Sequence, residues 1–373
     1  MAKLGYTSFG SFPFGAEHGT DDIVELLGDE PLIWIETAHF RIGCALGPLP
    51  LRSVEPWGDA WITGVREELR HLHRKLPRFD RETLGLDRWL RAHLMAQRLE
   101  AIWTDVCRNL GVTDADFPAA PGDDVNDPIC YRGAGPFLGM AGKFRVLLLG
   151  RTTSHARYTR SWQASEIAEP IRDHDRGSGS LYWGAAADAA DGLLRDDLAM
   201  HCHLAFNVAH NLYSGYRGYS HDLPAWLVTG LAHRHARAVS ARFPVYDRAH
   251  AHDRTDRGEF WQWDQRLPGL VRNDVFEPLA EFVERGTPGT FSLEHHIQCW
   301  GFVDWLMTAQ PAATIRFLRA MKTPFHLRTR LPEPAEVNAR QHHLVRAVFG
   351  CDWAGLQAQW YRAVSGRRNA AGR

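Results

Sequence analysis

The sequence predicts an α+β protein, with strands in the first half of the chain and helices filling the second. Two patterns carry that expectation. Residues 31–44 alternate apolar with polar side chains, the mark of a half-buried strand, and Phe144–Leu149 is a short apolar run. From Asp191 onward, apolar residues recur at intervals of three and four almost without a break. Segregation of this kind implies two lobes with a cleft between them. The expected boundaries are an N-terminal arm over 1–30, an α+β lobe over 31–190, a helical lobe over 191–366 and a mobile tail over 367–373.

Taken in order, Trp61–Lys75 and Leu86–Leu110 read as amphipathic helices. The turn-rich stretch Phe117–Pro128 reads as a surface loop. A buried strand at 144–149 is followed by a helix over 154–163, a loop over 165–180 and a strand over 180–184. Helices are then expected at 192–213, 223–240, 276–285, 293–309, 311–321, 335–348 and 353–365. Pro224 suits a first helical turn, where its missing N–H costs nothing, and Asp222 stands ahead of it as N-cap.

The chain has 373 residues and 45% hydrophobic content, enough for a sizeable core. A net charge of −1 gives no electrostatic case for nucleic acid or a membrane surface. Six cysteines lie without CxxC spacing, so they read as free thiols in a reducing compartment. The first residues lack a secretory apolar run, and no uncharged apolar run reaches about 18 residues, the minimum for a spanning helix. The expected location is cytoplasmic. No P-loop, dinucleotide-binding glycine motif or GxSxG elbow is present in the sequence.

The sharpest local signal is His201-Cys-His-Leu-Ala-Phe-Asn-Val-Ala-His-Asn-Leu212, followed by Leu223-Pro-Ala-Trp-Leu-Val-Thr-Gly-Leu-Ala-His233. Together they resemble the two-helix core of the gluzincin, or peptidase-MA-like, metallopeptidases. That family writes His-Glu-x-x-His on one helix and Leu-Pro-x-Trp-Leu-x-Glu-Gly-Leu-Ala on the next. Flanking segments resemble it too: Trp34–Ile42 and Phe144–Leu149 as strands, Gly177–Gly184 as the edge strand before the metal helix, Cys299–Met307 as the helix after it, and Val348–Trp360 as the closing pattern. The resemblance implies a zincin-like fold with a small mixed sheet and a substrate cleft.

Its chemistry does not carry over. Histidines at i and i+4 share a helical face and can grip one zinc ion, beside which a glutamate activates water. Here the first histidine position is Phe206, the base position Asn207 and the third-ligand position Thr229, leaving His210 alone. Phenylalanine cannot ligate, and an asparagine amide cannot take a proton near neutral pH. The expectation is therefore a non-catalytic pseudopeptidase without a cofactor, binding a peptide or protein partner where the family binds substrate.

Around these positions His203, Asn207, His210 and Ser214 form one polar stripe on an otherwise apolar helix. The simpler reading is a hydrogen-bonded core or cleft wall, because buried polar groups need partners. The binding candidates are His203, Asn207, His210, Thr229, His233, His296 and Tyr182. The alternative is a metal-dependent hydrolase with zinc relocated to His203 and His233. His203 and His210 cannot share an ion, because seven residues span about 10 Å of helical rise.

Overall fold

The computed structural model describes residues 5–51, 58–119, 131–219, 223–242, 245, 262–286, 288–323 and 332–366. Asp222 and the 367–373 tail lie outside the described residues. The chain divides into two compact units, Met1–Asp105 with Ala141–Asn211, and Val106–Met140 with Leu212–Arg373.

The first unit opens with β1 (Tyr6–Ser8), α1 (Thr20–Leu26), β2 (Ile33–Thr37) and β3 (Phe40–Cys44). A short pair, β4 (Leu49–Pro50) and β5 (Gly85–Leu86), brackets α2 (Gly58–His73), and α3 (Arg88–Leu110) follows. After these come β6 (Phe144–Leu149), α4 (Thr152–Trp162), β7 (Ile171–Asp175), β8 (Ser180–Ala186), the one-turn α5 (Ala189–Gly192) and α6 (Asp197–Gly215). The main sheet is mixed, in the order β1-β2-β3-β6-β8-β7, with β3, β6 and β8 parallel and the other pairs antiparallel. Central parallel strands are covered on both faces, which is why β6 reads as a run of apolar residues rather than an alternation.

Side-chain alternation assigns the two faces. On one, Trp34, Leu147 and Tyr182 pack with Phe14, Ile23, Leu27 and Tyr158. On the other, Phe40 and Phe144 meet the Trp103 ring of α3 at 6.2 and 5.9 Å. Residues 6–27, within the stretch expected as an N-terminal arm, supply β1, α1 and buried side chains of the core. Their apolar residues are unevenly spaced and so escape any periodicity test.

The strand at 180–184 was expected at the sheet edge, and β8 is instead interior, paired to β6 and β7. The segment expected as a loop over 165–180 contains β7, the edge strand beside β8 and one of the sheet's two edges, β1 being the other. The β7 sequence, Ile-Arg-Asp-His-Asp, has no apolar alternation and becomes a strand by backbone pairing to β8. Gly184 of β8 sits where a Cβ would lie 1.8 Å from the Tyr182 hydroxyl and 2.5 Å from His155 Nε2. Gly184→Ala is therefore expected to destabilise the protein by roughly 1–3 kcal/mol, read as a lower urea midpoint.

Beyond α6, the second unit is helical: α7 (Ala225–Val239), α8 (Trp263–Arg272), α9 (Leu279–Phe282), α10 (Leu293–Ala309), α11 (Pro311–Met321), α12 (Pro334–Phe349) and α13 (Trp353–Gly366). Trp226 of α7 is a core anchor, packed on Phe302 and Trp353 while its indole N–H donates to Gln341 Oε1 at 3.0 Å. Gly230 permits close approach to α10, since a Cβ there would lie 2.5 Å from the Cys299 carbonyl and from Val303 Cγ2. Gly230→Ala should cost about 1–3 kcal/mol by overpacking, measured the same way. No helix among the described residues is long and apolar enough to cross a membrane.

Candidate functional site

In the first unit the site is built from α6 and the β7–β8 hairpin. Arg172 and Trp183 are directly opposed across β7 and β8, so both project to one face of the sheet. That is the face on which α6 lies. Arg172 Nη1 donates to Asn207 Oδ1 at 2.5 Å, and its guanidinium stands 6.0 Å from the Phe206 ring centre. The Asn207 amide nitrogen donates in turn to the His203 carbonyl at 2.9 Å. One turn further on, Asn211 Nδ2 donates to the Tyr182 carbonyl at 3.0 Å. The carboxamide at 207 is thus engaged at both ends, tying the helix to β7, one of the sheet's two edge strands.

Phe206 is fully buried. His203 is buried too, and loss of water pushes its pKa down to about 4, so its ring is neutral near pH 7. His210 is half-buried. Tyr182 does not join this group through its side chain. Its ring points to the opposite face, stacked on Tyr158 at 5.4 Å with its hydroxyl 3.3 Å from His155 Nε2. Its backbone carbonyl is what meets α6, accepting from Asn211.

At the start of α6, Asp197 is buried and paired with Arg98, Oδ2 to Nη2 at 2.7 Å and Oδ1 to Nη1 at 3.0 Å. Arg98 also meets Glu68 at 2.7 Å. Despite full burial, the Arg98 charge and its hydrogen bonds hold Asp197 down to about 2.

Thr229, His233 and His296 belong to the second unit. Thr229 is fully buried, and its hydroxyl has no hydrogen-bond partner among the described residues. His233 Nε2 lies 3.0 Å from His296 Nδ1, so one ring donates to the other. Trp263 stands edge-on to His233 at 5.0 Å. Burial, then the neighbouring His296 and Arg237, hold the His233 pKa well below the usual histidine value. Arg237 lies between the Trp263 and Trp300 rings at 4.6 and 4.3 Å and pairs with Asp264 at 2.8 Å.

Among the described residues, no group of three or more His, Cys, Asp and Glu side chains converges so as to hold a metal ion. Two site residues escaped the sequence, Arg172 and Asn211. The i, i+4 repeat of His203, Asn207 and Asn211 was a legible signal for the second. No family model, curated protein or solved structure matches this chain.

Proposed function

We propose that this chain is a catalytically silent relative of the gluzincin frame that binds an acidic, extended segment of a partner protein along β7. The observation that carries the reading is the Arg172–Asn207 contact. It puts the residue standing at the family's general-base position into a structural bond with the edge strand. An edge strand has backbone groups on one side with no strand to pair with, and an extended peptide can add there. Arg172 lies on the α6 face of β7, with Asp173 and Asp175 on the other, so a carboxylate on the α6 face of the incoming strand would meet its positive charge. Zinc hydrolysis is not part of this reading, because Phe206, Asn207 and Thr229 offer neither imidazole nor carboxylate.

Panning a random displayed-peptide library against the tag-free protein should enrich acidic, extended segments. Affinity for the enriched peptide should fall roughly tenfold or more on Arg172→Glu, about 1.4 kcal/mol. Binders indifferent to Arg172→Glu, Asn207→Ala and His210→Ala would sink the reading. Elemental analysis after dialysis against a weak chelator supplies the second check. Stoichiometric zinc would overturn the metal-free part and favour a relocated histidine site.

A further inference from the structure

A different feature of the first unit points to a second binding site. Arg91 lies in the first turn of α3 and is only 3% exposed. Its Nη1 donates to the Gly47 carbonyl at 2.9 Å, just past the end of β3. Its Nε and Nη2 are buried and meet no acceptor among the described residues. Those two nitrogens share one edge of the guanidinium, the edge that engages two oxygens of a carboxylate or phosphate side by side. A buried guanidinium left half-satisfied is costly, and its natural complement is an oxyanion.

The position reinforces the chemistry. Gly47 follows Cys44, the last residue of β3, and β3 runs parallel to β6 and β8. His39, ahead of β3, stacks on Trp103 near the far end of α3, whereas Arg91 near its start reaches Gly47. Thus α3 runs back along the sheet and its N-terminal turn stands over the carboxyl ends of the parallel strands. Ligands of α/β sheets gather at that end, and helix N-termini favour negative charge there. Asp197 lies within electrostatic range of Arg91, yet its oxygens are already engaged by Arg98.

We propose that the Nε–Nη2 edge of Arg91 receives one oxyanion group, a carboxylate or a phosphoryl, at the carboxyl end of the parallel strands. The site is independent of the peptide reading. Entry requires local opening, since the guanidinium is nearly closed to solvent. Calorimetric titration of the full chain with inorganic phosphate, and separately with acetate, each against chloride at equal ionic strength, tests the proposal. Saturable binding of phosphate alone identifies a phosphoryl ligand, and of acetate alone a carboxylate. Arg91→Lys keeps the charge but loses the fork, and should weaken binding roughly tenfold or more. No saturable binding beyond chloride, or binding unchanged in Arg91→Lys, overturns the site. If Arg91→Lys does not fold, the arginine Nε–H resonances of the wild-type protein decide. A buried, exchange-protected Nε–H must shift with the oxyanion, and a titration that moves none of them overturns the proposal.

Discussion

Acidification from about pH 7 to about pH 5 is expected to remove about 4 kcal/mol of folding stability through His155 and His203 alone. Burial pushes both imidazoles from the ordinary 6.5 down to about 4. Between those values the unfolded chain binds protons that the folded chain refuses, so stability falls as pH falls. The contribution is fully present above the unfolded pKa and is lost as pH drops through the folded one. His18 is shifted to about 4 as well, and His201 and His233 move the same way. Since single domains are stable by only about 5–15 kcal/mol, the loss should be visible as a falling urea midpoint. Asp197 acts in the same direction but in a lower window, between its ordinary value of 3.8 and about 2. A midpoint that stays flat from about pH 7 to about pH 5 would contradict neutral burial of these rings. His203→Gln should reduce the slope, since one fewer proton is taken up on unfolding.

Asp197→Asn should be the most damaging single change at α6, costing roughly 3–5 kcal/mol. The reason is asymmetry. Asp197 and Arg98 are both buried, so removing one charge strands the other away from water. Glu68, more exposed, remains beside Arg98 and compensates in part. The double change Arg98→Met with Asp197→Leu removes both charges and should cost less than the sum of the single changes. Chemical denaturation of the four species measures that coupling. Strict additivity would mean the pair is not energetically linked.

Much of the fold could be read from the sequence because its long elements are periodic. The helices expected at 293–309 and 311–321 and the strand at 144–149 match the observed bounds. What stayed hidden has specific causes. α8 carries Pro268 in its interior, which reads as a breaker. The expected helix over 276–285 shrinks to the single turn of α9, which follows Pro278. β7 is mostly charged, so hydropathy gives no hint of it, and with it went Arg172 and the identity of the sheet edge. Of the site itself, the α6 stripe was visible as spacing. The direction of the Tyr182 ring was not, since it depends on which face of a strand meets which helix.

The charge alternation of β7 bears also on how this protein behaves among its own copies. An outermost strand invites pairing with the same strand of another molecule, the first step of aggregation. Two β7 strands meeting antiparallel about their shared centre would bring Arg172 near His174, and Asp173 near Asp173 or Asp175. The aspartate encounter opposes like charges near neutral pH, whereas the Arg172–His174 encounter does so only on acidification, because burial holds the His174 imidazole below the usual histidine value. The strand that could welcome an acidic stranger is thereby a poor match for itself, and concentration alone should not zip the sheets together.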